Sequence, residues 1–442
     1  MKNWTIAGQV LTIRAPLLLT HTMSLTPARA CGIDFGTSNS TTGWLRPGGD
    51  TLLRLEDGKV TLPSVVFFNA EEDHTCFGRQ ALAEYLDGYE GRLMRSLKSL
   101  LGSSLIDGQT EVAGRALSFR ELLQRFIGEL KHRAERDAGR RFDTAVFGRP
   151  VHFVDDDPEA DARAEATLAD TARAVGFKEV SFQFEPIAAA FHYEQGLDRE
   201  ELVLIADIGG GTSDFSLVRL SPERARTSER REDLLANGGV HIGGTDFDKY
   251  LSLAGVMPLL GYRTRLKNNA EVPSSYYFNL ATWHTINFNY TRKIWMELQE
   301  VYRDAQAQDA LDRLLRLIER RDGHWLALQV EEAKIALSSA PQTLLTLDRL
   351  EAGFAQTIES ATFDEATDKL VSDVEATVSA LITDAGVGRE QIDTIFFTGG
   401  SSGIPSLRRR IAALLPNARP VEGDLFGSIG AGLAVEALRR YG

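Results

Sequence analysis

Two short stretches carry the same arrangement of aspartate, glycine and hydroxyl side chains: Asp34-Phe-Gly-Thr-Ser and Asp207-Ile-Gly-Gly-Gly-Thr-Ser. Each follows an apolar run of β type, Cys31-Gly-Ile in the first case and Leu202-Val-Leu-Ile-Ala in the second. A strand that ends this way suits a phosphate and a hydrated Mg2+. Glycine lets the backbone approach an anion, successive N–H groups form a nest for it, and Mg2+ keeps most of its waters while taking one or two carboxylates. One such loop is also an ordinary turn. Two matched copies, about 170 residues apart, imply two related lobes that clamp a di- or triphosphate from both sides.

A third glycine turn, Gly399-Gly-Ser401-Ser-Gly403, follows the apolar Ile395-Phe-Phe. It matches G-x-S-x-G, the strand-to-helix nucleophile elbow of α/β-hydrolases. Those enzymes place their histidine after the serine, and the last histidine here is His324. The turn reads better as a wall against which an adenosine packs, with Ser401 and Ser402 as donors. No G-x-x-x-x-G-K-[ST] is present, which excludes a P-loop, and no G-x-G-x-x-G follows a strand, so a dinucleotide fold lacks support. Two N-x-[ST] sequons, at Asn39 and Asn289, read as chance, the first because a glycan there would block the phosphate loop.

The elements that must hold these loops alternate strand and helix, which gives an α/β class. Residues 119–136 carry Leu122, Leu123, Phe126, Ile127 and Leu130 on one helical face. Residues 162–175 form an Ala-rich helix that stops before Gly176. Pro405 opens a helix over 406–415, and 427–438 form a small-residue helix. Residues 250–330 differ: an aromatic-rich stretch, 275–295, and an amphipathic helix over 311–321 predict an inserted helical subdomain. The chain has 442 residues and a net charge of -13, which argues against nucleic-acid and anionic-membrane partners. No apolar run is long enough to span a bilayer. The two cysteines, Cys31 and Cys76, read as reduced cytoplasmic thiols, with no disulfide expected. Ala28-Arg29-Ala30 has the form of a signal cleavage site, but the preceding apolar patch, residues 17–19, is too short. Residues 1–30 read as a tail, with a translation start at Met23 as one reading.

With these residues in place, the chain resembles the Hsp70 family. Asp34-Phe-Gly-Thr-Ser and Asp207-Ile-Gly-Gly-Gly-Thr-Ser-Asp resemble its two phosphate motifs. Phe184-Glu-Pro-Ile-Ala-Ala-Ala and Gly423-Asp-Leu-Phe-Gly-Ser-Ile-Gly resemble its two connecting motifs, and Thr398-Gly-Gly-Ser-Ser-Gly-Ile-Pro its adenosine motif. Gly243-Gly-Thr-Asp and Glu332-Ala-Lys-Ile-Ala-Leu-Ser-Ser are similar to its lobe II segments, and Met257-Pro-Leu-Leu-Gly to a YegD-like branch of putative chaperones. The resemblance implies an actin-like ATPase fold: two lobes, each built on a ribonuclease H-like motif, with helical subdomain insertions. The implied boundaries are lobe I over 31–200, with an insertion at about 64–143, and lobe II over 201–442, with an insertion at about 241–360.

The resemblance also implies roles. Asp34 and Asp207 would hold Mg2+ through water, and Gly36, Thr37, Ser38, Asn39, Gly209, Gly210, Gly211 and Thr212 would contact the phosphates of ATP or ADP. Glu185 and Asp214 would order the metal shell or the attacking water. Gly243, Gly244, Glu331, Lys334, Ser338, Gly399, Gly400, Ser401 and Asp424 would line the nucleoside, and Pro150 would sit at an interlobe signalling position. Departures are expected too. Leu82, in Phe77-Gly-Arg-Gln-Ala-Leu82, stands where the family has a lysine that helps the hydrolytic water, so hydrolysis is expected to be slow or absent. Arg79, Arg95 and Lys98 remain open as substitutes. Ile335 replaces an adenine-stacking arginine, and no peptide-binding domain follows Gly442. The expected function is an ATP-binding chaperone with a protein partner. A sugar-type kinase and an actin-like filament former are the alternatives within the same superfamily.

Overall fold

The computed structural model describes residues 29–46, 49–112, 114–154, 157–227, 229–424 and 427–442, together with the backbone of 4–6 and 9–11. The latter two segments pair as a short antiparallel ribbon. The other calls on the N-terminal tail, the apolar patch at 17–19 and the start at Met23, lie outside the described residues.

Two five-stranded sheets repeat one topology. In the first, Thr61–Pro63, Asn39–Gly43 and Ala30–Asp34 run antiparallel in turn, and Thr144–Arg149 and Glu179–Phe184 continue the sheet in parallel. In the second, Leu234–Val240, Ser213–Leu220 and Glu201–Ile208 take the antiparallel places, and Thr394–Thr398 and Arg419–Glu422 the parallel ones. The order is third-second-first-fourth-fifth strand in both. Asp34 therefore sits opposite Thr41 in one lobe as Asp207 sits opposite Asp214 in the other. The central parallel strand Thr394–Thr398 is buried at every position, as a strand covered on both faces requires, whereas the edge strand Arg419–Glu422 is largely exposed.

A helix follows the last strand of each sheet: Glu185–Glu194 and Ser428–Tyr441. The two cross at closest range where a Cβ on Gly432 would lie 1.9 Å from the Ala188 carbonyl oxygen. The second helix also lies on the first lobe's central strand, since a Cβ on Gly32 would meet Ala434 N at 2.3 Å. Glycines at these contacts let backbone touch backbone, and this joint ties the lobes behind the cleft.

The predicted helix over 119–136 forms as Phe119–Ala138 and buries the expected Leu122, Leu123, Phe126, Ile127 and Leu130. Ser118 caps its N-terminus through the Glu121 N–H, and Gly139, at φ +65°, ends it. The helix expected over 162–175 starts earlier, at Pro158, because Asp157 provides the cap. Residues 250–330 are mainly helical, as expected. Gln308–Glu319 buries Leu311, Leu314, Leu315 and Ile318 on one side, each contributing about 1.5–3 kcal/mol. Of the aromatic stretch, Tyr276 and Tyr277 are core, whereas Phe278 and Phe288 are exposed.

Candidate functional site

Asp34 ends the first strand of one sheet, and Asp207 lies one residue from the end of the first strand of the other. Their loops meet across the cleft. A Cβ on Gly210 would lie 2.1 Å from Ser38 Oγ, and one on Gly243 would lie 2.5 Å from Gly211 N. Gly211 faces open space. Gly209 N donates to Thr212 O at 2.9 Å, and the Thr212 hydroxyl donates to Asp214 Oδ2 at 2.7 Å. On the opposite loop, Ser64 Oγ donates to Gly36 O at 2.7 Å, and the Asn39 carbonyl occupies the space a Cβ on Gly36 would need. Thr37 and Asn39 are half-buried beside the exposed Ser38.

Acidic groups gather at this junction around one cation. Lys98 Nζ donates to Glu185 Oε1 at 2.6 Å, and both side chains are nearly buried. Glu185 is the first residue of the helix Glu185–Glu194, so helix start and carboxylate are placed together. Burial disfavours charge on Lys98, but Glu185 and Asp34 outweigh it and hold the ammonium above its ordinary pKa. Burial first, then Glu185, pushes Asp34 well above the usual carboxylate range. Burial, then Asp214, Glu185 and Asp34, raises Asp207 to about 8. Glu185, Asp34 and Asp207 thus share Lys98, and the two aspartates resist ionisation until another cation arrives. This donor set fits Mg2+, which favours oxygen ligands and retained water. The glycine-walled loops fit phosphate for the same geometric reason.

Leu82 stands apart from the aspartates, and Lys98, one of the substitutes left open, stands beside them. Leu82 belongs to the helix Gly78–Leu86 and packs against the apolar group of Val65, Phe67, Cys76 and Ala81, not into the cleft. The lysine of the site is Lys98, on the 3-10 turn Leu97–Leu100 that follows the strand Gly91–Arg95. Ser96, at φ +56°, reverses the chain there, and buried Leu97 and Leu101 anchor the turn. Arg79 is committed elsewhere, to Glu56 and Thr61. A lysine set among leucines in Leu97-Lys-Ser-Leu-Leu was the available signal.

Part of the expected nucleoside set also comes together. Gly244 starts the helix Gly244–Leu251; a Cβ on it would lie 2.4 Å from Ser401 Oγ and 3.1 Å from Lys334 Nζ. Lys334 donates to Gly244 O at 3.2 Å and pairs with Asp248 at 2.8 Å. Burial raises Asp248 to about 6, with Lys334 opposing and Glu331 adding to the rise. Asp248 was not singled out in the sequence. Gly399, at φ +80°, abuts Asp207 (a Cβ would lie 2.5 Å from its Oδ1), and Gly400 opens the 3-10 turn that carries Ser401. Ser338 is turned back on its own helix, donating to Lys334 O at 3.3 Å. Asp424 sits at the start of the helix Ser428–Tyr441, where its carbonyl accepts from Ser428. Ile335 is well exposed, 59%.

A second contact closes the cleft further out. The Arg95 guanidinium lies 4.1 Å from the centroid of the Trp283 ring. The Tyr85 hydroxyl is 3.3 Å from His324 Nδ1, while His324 Nε2 is 3.2 Å from the Trp283 carbonyl. Arg95 and Tyr85 lie in the stretch expected to be the first lobe's insertion, Trp283 and His324 in the stretch expected to be the second's. Burial lowers His324 to about 4. Sequence reasoning missed all four as a group, because at least 188 positions separate the two pairs in the chain, a pairing no local pattern records.

Comparison with known families matches this chain to "Hsp70 protein" over residues 30–254 and 316–437. The unmatched span, 255–315, falls within the inserted helical segment. Two curated relatives, each named chaperone protein DnaK and each from a strain of Thermus thermophilus, are 26% identical over 443 aligned positions. The alignments cover 93% of this chain and 61% of each relative, so the chain spans about three-fifths of their length. With the family matched over most of its residues and the repeated sheets and facing aspartate loops in place, the chain belongs to the Hsp70 family.

Proposed function

We propose that this protein is an Hsp70-type molecular switch that binds ATP with Mg2+ and hydrolyses it, using the nucleotide state to set the opening of its lobes toward a protein partner. The observation that carries this reading is the buried group of Lys98, Glu185, Asp34 and Asp207 at the meeting of the two glycine loops. Bound Mg2+ would neutralise phosphate charge there. Asp34 and Asp207 would hold its waters. Backbone N–H groups of Gly209, Gly210 and Gly211, with Thr37, Ser38 and Thr212, bind the phosphates. Lys98, fixed by Glu185, stands on the first-lobe side of the junction, where it orients the attacking water and steadies developing charge; positioning and electrostatics carry most of phosphoryl transfer. In this reading Lys98 supplies the ammonium that Leu82 lacks, and the rate of hydrolysis, slow or not, is what the single-turnover experiment reads.

Gly243, Gly244, Glu331, Lys334, Ser338, Gly399, Gly400, Ser401 and Asp424 form the nucleoside wall in this reading, and the insertion over 250–330 offers a partner surface. The relatives' printed name, chaperone, supports a client protein as that partner. Buried, free Cys31 and Cys76 fit a reducing compartment such as the cytoplasm. Calorimetry with ATP and Mg2+, followed by single-turnover hydrolysis, tests the proposal. Expected are Mg2+-dependent binding and measurable turnover; no heat of binding with either ATP or ADP would end it.

A further inference from the structure

Between the strand His74–Phe77 and the helix Gly78–Leu86, a second group of ligating side chains converges. His74 and Cys76 lie two residues apart on the strand His74–Phe77 and so project from the same face. Glu84, from the following helix Gly78–Leu86, reaches over that face. The imidazole, thiol and carboxylate ligand atoms all lie within 4.8 Å of one another. His74 Nε2 is 3.0 Å from Glu84 Oε2. The carboxylate is itself oriented: Asn69 Nδ2 donates to Oε2 and Gln80 Nε2 to Oε1, both at 2.9 Å.

We infer that His74, Cys76 and Glu84 form a zinc site, with Asn69 and Gln80 as the outer partners that aim the carboxylate. A thiolate, an imidazole and a carboxylate together are borderline-soft, which selects Zn2+ over the Mg2+ of the nucleotide cleft. Three protein ligands leave one tetrahedral position for water, as in zinc sites that stay open. That position faces solvent here, because Cys76 forms the buried floor and the His74 side chain is 40% exposed. Glu71, Glu72 and Asp73, on the turn just before His74, add negative charge along the approach. Carboxylate oxygens each keep a lone pair beyond the hydrogen bonds from Asn69 and Gln80, so the outer partners do not block ligation.

Binding is a ligand exchange without redox change. A Zn–S bond forms as the Cys76 thiol gives its proton to solvent, and Zn2+ takes the place of the His74–Glu84 hydrogen bond. The bound ion pins the helix Gly78–Leu86 onto the hairpin Val65–Asn69 with His74–Phe77. The site is independent of the nucleotide reading: none of its residues contacts the aspartate loops.

The test is titration of the full-length, metal-stripped protein with Co2+, followed by absorbance. The expected result is a near-ultraviolet thiolate-to-cobalt charge-transfer band that saturates at one ion per chain and is erased by Zn2+ but not by Mg2+. Cys76→Ser and His74→Ala should each abolish it. Gln80→Ala should weaken affinity about tenfold, the size of effect that outer partners have. Metal-free circular dichroism checks that each variant folds, and the exposed His74 carries the test if Cys76→Ser does not. No band in the wild-type protein, or a band that persists in either ligand variant, overturns the site.

Discussion

Replacing Lys98 by methionine is the most informative single change. It keeps the length of the stem and removes the ammonium that lies 2.6 Å from Glu185. Loss of one positioned donor at developing charge costs about 10²–10³ in rate, or about 2.7–4 kcal/mol. The same cation lowers the proton affinity of both Asp34 and Asp207, so its removal drives both further toward the neutral form. Saturating Mg2+ separates any change in metal binding from the chemical step. Single-turnover hydrolysis of radiolabelled ATP at saturating Mg2+ reads the chemical step, and calorimetry reads nucleotide affinity. The expected outcome is a fall of about two to three orders of magnitude in the hydrolysis step with ATP still bound. The companion variant Leu82→Lys should gain no rate, because its side chain points into the group of Val65, Phe67, Cys76 and Ala81. It should instead lower Tm. Wild-type hydrolysis by Lys98→Met with normal affinity, or a rate gain in Leu82→Lys, would refute the assignment of Lys98.

Three other outcomes follow from the geometry. Asp34 and Asp207 are raised in the folded, metal-free protein, so the fold binds protons that the unfolded chain releases; stability without Mg2+ should fall as pH rises from about 4 toward 8, and Mg2+ affinity should rise over the upper part of that window, both readable by thermal melts and titrations across pH. His324 is depressed from 6.5 to about 4, so its contribution to the contact with Tyr85 and Trp283 is complete above 6.5 and is lost as pH falls toward 4. Fluorescent ADP should accordingly leave faster at pH 5 than at pH 7, and Trp283→Ala should leave fast at both; equal rates throughout would show that the contact does not hold the cleft. Gly432→Ala forces a Cβ to within 1.9 Å of the Ala188 carbonyl, and overpacking of that kind costs about 1–3 kcal/mol, so its Tm should drop, while Gly128→Ala, in the helix Phe119–Ala138 with its Cβ no nearer than 3.5 Å to Val175, should not lose Tm.

The sequence by itself determined the class, the repeat and the identity of the loops. Asp34 and Asp207 were recognisable because the chemistry of a phosphate loop is local: a strand, a carboxylate, glycine and hydroxyls within a few residues. The helix Phe119–Ala138 was equally legible, since its apolar spacing and its Ser118 and Gly139 caps are all local signals. Only the tertiary structure decided which lysine enters the site. A lysine's reach depends on how the preceding strand is registered and where the chain reverses, and here the turn at Ser96 aims Lys98 inward while the helix carrying Leu82 turns that residue toward an apolar layer. The same holds for Asp248 beside Lys334 and for Arg95 on Trp283, where partners distant in sequence meet through packing of separate elements. Local composition encodes what a residue can do; the register of the sheets and the crossing of the two linking helices settle what it stands next to.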